Sequence, residues 1–150
     1  MLRLSGAFKD YAWGSTSAIS DFTGIDFEGK RVADLWFGAH DRAQTLAGGR
    51  PLSEHISADP AGILGKDVAA RFDEHLPFLL KIIAPEQPLS LQVHPGKELA
   101  EAGFQAEEEA GIPLNSQRRN YRDRNHKPEM IFALTSFEAF AGFRAPRRAM

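Results

Sequence analysis

A β-rich α+β fold is predicted by two observations. Short strand-like runs recur along the whole chain, each closed by glycine, proline or small polar residues. Only a few segments between them read as helices, so strands dominate without alternating regularly with helices.

The elements follow in order. Leu2 to Tyr11 reads as a strand and Trp13-Gly14-Ser15 as a turn. Ser15 to Phe22 predicts a short helix started by a hydroxyl cap. Asp26 to Lys30 is a turn around Glu28-Gly29, and Arg31 to Phe37 is a strand. Gly48-Gly49-Arg50-Pro51 is a loop. Leu52 to Ser57 is helical, and a further short helix starts at Pro60, because proline suits a first turn. Phe78 to Ala84 and Leu89 to His94 are the clearest strands, joined by the tight Pro85-Glu86-Gln87-Pro88 connection. Lys97 to Ala110 is helical, with Gly111 as its stop. Residues 112–127 form a polar, basic loop, after which Met130 to Leu134 and Phe137 to Phe143 predict a hairpin across Thr135-Ser136. No internal repeat, low-complexity tract or linker interrupts this order.

Bulk properties narrow the function classes. The 150 residues suffice for one ordinary domain, and 43% apolar with 25% charged residues is typical of a soluble globular protein. A formal charge of −2 argues against a nucleic-acid surface driven by net charge. With no cysteine there is neither a disulfide framework nor a thiolate metal site, which fits a cytoplasmic protein. The N-terminus lacks the apolar core of a signal peptide, and no apolar run approaches the ~20 residues that span a bilayer.

The most informative stretch is Gln87-Pro-Leu-Ser-Leu-Gln-Val-His-Pro95. In an extended strand alternate side chains face opposite ways. Leu89, Leu91 and Val93 fall on one face, and Ser90, Gln92 and His94 on the other. Gln92 and His94 are then about 6.5–7 Å apart at Cα, close enough to converge on one ion. Further on, Asn125-His126-Lys127-Pro128-Glu129-Met130 places Glu129 at the mouth of the next strand, with Lys127 on the same face. Gln92, His94 and Glu129 together offer two oxygens and a nitrogen, a set that suits a divalent metal with an open position. An ordinary half-solvated strand face is the alternative that chemistry alone leaves open.

These two stretches closely resemble class I mannose-6-phosphate isomerase (phosphomannose isomerase). So do Tyr11-Ala12-Trp13-Gly14, Ala33 to His40, Leu76 to Lys81 and Ala139 to Arg144, in the family's order and over nearly the whole chain. The resemblance implies a cupin, built of jelly-roll β-barrels. It also implies a zinc-dependent aldose–ketose isomerase acting on mannose 6-phosphate and fructose 6-phosphate in carbohydrate metabolism. Residues 1–150 then form the N-terminal portion of the zinc-binding catalytic domain, without the family's helical and C-terminal parts and with an incomplete barrel.

By the same resemblance Gln92, His94 and Glu129 hold one Zn2+, and Lys81 and Lys127 are catalytic. Ser90 serves the phosphate end of the substrate, while Trp13 and Asp34 line the pocket. The family's fourth ligand, a histidine, and a catalytic arginine match nothing in this chain. Asp34 stands where many relatives carry glutamate, and Gly96 where serine is commoner. His40, His55, His75 and His126 are expected to be surface or structural. Arg118, Arg119, Arg122 and Arg124 are expected to be a solvated cluster balancing Glu107, Glu108 and Glu109. The expected partner is a sugar phosphate, with no nucleic acid and no membrane. Two alternatives remain, a non-catalytic cupin module and an inactive fragment binding metal or a sugar phosphate. Little isomerase activity is expected of the 150 residues alone, with the apolar faces of Phe132, Leu134, Phe137 and Phe140 short of partners.

Overall fold

The computed structural model describes residues 2–40, 43–89, 91–140 and 142. The chain divides into two compact units, residues 1–90 and 91–150. The division falls inside the stretch expected to be the strand Leu89–His94, although no linker composition marks it.

In the first unit the expected N-terminal strand is two pieces, β1 (Leu4–Ser5) and β2 (Ala7–Lys9). Gly6 separates them where a side chain would strike Leu35 and the Trp36 carbonyl. The expected helix is α1 (Ala18–Thr23). Its opening amides of Ser17 and Ala18 donate to Ser15 Oγ at 3.3 and 3.2 Å, so the hydroxyl cap comes from two residues further back than the cap position. Next come β3 (Asp34–Phe37), β4 (Ala39–His40), β5 (Ala43–Gln44), β6 (Leu46–Ala47) and β7 (Arg50–Pro51). The glycine pair between β6 and β7 has φ of 59° and 84°, the left-handed geometry of a two-residue hairpin turn. The loop expected at Gly48 to Pro51 is therefore only its first half. Three short helices follow, α2 (Leu52–Ala58), α3 (Pro60–Leu64) and α4 (Lys66–Arg71). Pro60 opens α3 as expected, and Asp59 accepts from the Gly62 amide at 2.9 Å. Helix α4 was not legible, since Gly65, with φ of 84°, starts it as readily as it ends α3. The unit ends with β8 (Leu80–Ile83).

These strands make three antiparallel sheets, β1-β6-β7, β2-β3-β8 and β4-β5, none of them closed. Sheets with helices agree with the α+β expectation. The central sheet has two different faces. Phe8, Leu35 and Ile82 are cross-strand partners on one, and Phe27 packs against both Phe8 and the core of Ile19, Val32 and Ala84. The register puts Lys9, Asp34, Trp36 and Lys81 on the other. Gly14 bridges to Pro85 where any Cβ would lie 2.6 Å from Ala33 backbone, so the close approach admits only glycine.

Among its described residues the second unit has one helix, α5 (Lys97–Glu109), and no strand. Gly111, with φ of 66°, follows its end as expected. The strand expected at Leu89–His94 and the hairpin expected over Met130–Phe143 are not formed among the described residues; Ser90, Ala141 and Phe143 lie outside them. Alternation encodes a face but supplies no partner, and an unpaired backbone has no ladder to join. The apolar positions are correspondingly open, with Leu91 87%, Met130 94% and Phe132 82% exposed; Leu134 and Phe140 are exposed and Phe137 is half-buried.

The basic loop is not uniformly solvated. Arg119 is buried, its guanidinium over the Phe104 ring at 4.7 Å and paired with Glu107 at 3.1 Å and Glu108 at 2.7 Å. Phe104, Glu107 and Glu108 are spaced i, i+3, i+4 on α5, one helix face offering an aromatic ring and two carboxylates. That spacing was the available signal. Arg119 also donates to the Ile112 and Tyr121 carbonyls, while Glu107 accepts from the Asn120 and Tyr121 amides and the Asn120 side chain. Burial opposes the charge on Glu107, but these donors and the Arg119 charge outweigh it, and the carboxyl titrates below its ordinary value. A depressed carboxylate stabilises the fold above its unfolded-state pKa, and that contribution is lost as pH falls through the folded one. Thermal midpoints should therefore decline in acid below the ordinary glutamate range, and Glu107→Gln should lower the neutral-pH midpoint and flatten that decline. An unchanged profile in the variant would assign the acid response elsewhere.

Candidate metal centre

Two segments of the second unit meet beside the start of α5. Residues 91–96 lead into the helix, and 123–129 leave the loop that α5 and Arg119 anchor. His94 Nδ1 lies 3.0 Å from the Lys127 carbonyl, 33 residues along the chain, and 3.9 Å from Glu129 Oε1. Only the protonated form of Nδ1 can bond to a carbonyl. The neutral imidazole is then the Nδ1–H tautomer, and Nε2 keeps its lone pair. Pro128 stands between Lys127 and Glu129 and keeps the backbone extended there, so one short segment delivers both the carbonyl and the carboxylate.

An open cleft of about 290 Å³ adjoins this pair, lined by His94, Pro95, Gly96, His126, Lys127 and Pro128. His126, expected to be surface or structural, is one of its walls. The Lys127 ammonium pairs with Asp123 Oδ2 at 3.2 Å. The Glu129 carboxylate is more than half exposed. Gln92 is exposed two residues before His94. Among the described residues no three of histidine, aspartate and glutamate converge as a metal group. His94 and Glu129 are therefore a pair, and their contact is made through Nδ1. An imidazole nitrogen with carboxylate and amide oxygens suits zinc with an open position.

The first unit holds the other candidates. Asp34 is 4% exposed, and the Trp36 indole N–H donates to its Oδ2 at 3.0 Å. Its Oδ1 has no hydrogen-bond partner. Desolvation raises the Asp34 pKa, opposed by the Trp36 bond and by the charges of Lys81 and Lys9. Lys81 is exposed, with its ammonium 4.5 Å from the Trp36 ring centroid, and Lys9 lies 5.2 Å from it. A lysine in an apolar strand is thus accommodated by an aromatic face. His40 packs edge-on to the same indole. Trp13 stacks on Tyr11 with centroids 5.6 Å apart, and its carbonyl accepts from the Glu86 amide. Ser90 lies outside the described residues. Lys9 and Lys97 are contributors the sequence reading passed over. The facing positions Lys9 and Asp34 in adjacent strands were the signal for the first.

Residues 1–146 match the phosphomannose isomerase type I catalytic domain. Mannose-6-phosphate isomerase of Escherichia coli is 45% identical over 150 residues, covering 96% of this chain and 38% of that protein. The Homo sapiens enzyme of the same name is 38% identical over 155 residues, covering 94% of this chain and 34% of that one. A crystal structure of mannose 6-phosphate isomerase from Salmonella typhimurium bound to substrate (f6p) and zinc superposes with a TM-score of 0.77 at 40% identity. It covers 85% of this chain and 33% of that chain. The present chain thus spans little more than a third of the length of these relatives. No helix among the described residues is long and apolar enough to cross a membrane.

Proposed function

The chain belongs to the type I phosphomannose isomerase catalytic-domain family, and from that premise we propose that it forms part of a zinc-dependent isomerase interconverting mannose 6-phosphate and fructose 6-phosphate. Residues 1–150 are read as the N-terminal portion of its cupin catalytic domain, a cysteine-free sequence suited to the cytoplasm. The observation that carries the proposal is the meeting of His94 with Glu129, with the histidine tautomer set by the Lys127 carbonyl.

His94, Glu129 and Gln92 would hold the zinc. When bound, it supplies a Lewis acid for the neighbouring C1 and C2 oxygens of the sugar. Isomerisation moves a proton between those carbons through an enediol, and the barrier falls where fixed positive charge meets the developing oxyanion. Lys127 brings an ammonium to the cleft that His94 lines. Asp123 restrains that ammonium without neutralising the cleft, since the pair is part-exposed and screened. By the resemblance Lys81, in the first unit, is the second lysine of the chemistry, and Trp36 holds its ammonium over the indole face. Asp34, buried with one oxygen unpartnered, accepts a hydrogen bond from a sugar hydroxyl. By the resemblance Trp13 serves the pocket and Ser90 the phosphate end of the substrate.

The test is a coupled assay of mannose 6-phosphate conversion by the whole protein, before and after chelation. Turnover on the order of 1–1000 per second that is lost to chelator and restored by zinc is the expected result. Stoichiometric zinc binding without turnover would leave a metal-binding module and overturn the catalytic reading.

A further inference from the structure

We propose that Lys97 is a positioning residue for the metal centre, a latch that locks the His94 segment to the Glu129 segment before metal binds. The inference rests on the reading of His94 and Glu129 as metal ligands. Lys97 is the first residue of α5, three positions after His94. Its ammonium reaches three acceptors: Glu101 Oε1 at 3.1 Å, the Arg124 carbonyl at 3.2 Å and Asn125 Oδ1 at 3.4 Å. A lysine ammonium has three donors, so the set is saturated. Two of those acceptors lie just before His126-Lys127-Pro128-Glu129.

The contact runs beside the His94–Lys127 hydrogen bond and in the same sense. Each ties the 94–97 segment to 124–127, one through a side chain of the first segment to a carbonyl of the second, the other likewise one helical entry later. Asp123 secures the far end, accepting from the Asn125 amide at 2.8 Å and pairing with the Lys127 ammonium. Residues 94–96 and 124–127 belong to no helix or strand, so no backbone ladder holds His94 opposite Glu129. Side-chain latches must do it. Glu101, one turn along α5, holds the lysine stem toward the helix and limits where the ammonium can go.

The energetic argument concerns preorganisation. A part-exposed ammonium gives little stability to the whole fold. It acts on affinity, because ligands already held at bonding distance lose less freedom on binding than ligands on two loose loops. Outer-shell partners that orient ligands commonly change metal affinity about 10- to 100-fold.

The experiment measures zinc affinity by chelator competition in the whole protein, with amide hydrogen exchange across residues 123–127 in the metal-free form. Lys97→Met should weaken zinc about tenfold or more, speed exchange of that segment, and leave the far-ultraviolet helix signal unchanged. Lys97→Arg, which can still reach two acceptors, should recover most of the affinity. Glu101→Gln, which leaves both loop contacts, should stay within about twofold, as expected for an exposed ion pair. Zinc affinity in Lys97→Met within about twofold of the parent, with His94→Ala unable to bind zinc, would overturn the latch. If His94→Ala still binds zinc, the metal reading itself fails. The exchange measurement then judges the latch separately, and unaltered exchange in Lys97→Met overturns it.

Discussion

In a full-length enzyme, replacing His94 by alanine is expected to abolish stoichiometric zinc and isomerase activity together. The substitution removes the imidazole that stands 3.9 Å from Glu129, and with it the hydrogen bond to the Lys127 carbonyl. A ligand and a strut between two irregular segments are lost at once. Lewis-acid stabilisation is worth several kcal/mol, and each 1.36 kcal/mol is a factor of ten in rate. Turnover should therefore fall by about three orders of magnitude. Global stability should drop only by about 1 kcal/mol, the net worth of one ordinary hydrogen bond. Elemental analysis of the purified variant decides the matter. Undiminished zinc would remove His94 from the metal shell, whatever happened to the rate.

Lys127→Ala is expected to separate chemistry from metal binding. His94 bonds to the carbonyl of Lys127, which alanine retains, so zinc content should stay near the parent value. The ammonium is what disappears. A positioned group that stabilises charge or transfers a proton is worth about 10²–10⁴ in turnover, and a loss in that range is expected. Asp123 loses its partner too, but that pair is part-exposed and contributes little to folding. A parallel fall in zinc and activity would make Lys127 a support of the metal shell rather than a group acting on substrate. Retained turnover would remove the side chain from the mechanism.

Much of the first unit was legible because its signals are local. The hydroxyl-started helix α1, Pro60 opening α3, the Glu28-Gly29 turn and the glycine ending α5 each depend on a few neighbouring residues. The strands β3 and β8 were legible for the same reason, as apolar runs bounded by turns. The runs at 89–94 and 130–143 carried an equally good pattern and are not strands among the described residues. Their pattern specifies which side chains share a face, while strand formation depends on a neighbouring backbone. Arg119 shows the opposite error. As one of several arginines in a polar loop it reads as solvated, and only the facing carboxylates and Phe104 of α5 make it a buried anchor.

The candidate site divides the same way. Its chemistry is written in residue types: a glutamine, a histidine and a glutamate in two short motifs, with lysines beside them. Family membership follows from those motifs and their order, because identity and spacing survive without coordinates. The Lys127 carbonyl that orients His94 needed the tertiary structure, since it lies 33 positions along the chain, past a helix. So did the role of Lys97, whose acceptors are the Arg124 main-chain oxygen and the Asn125 amide. A carbonyl has no letter of its own in a sequence. Which one a side chain reaches is decided by where the folded backbone turns, and that depends on contacts distant along the chain.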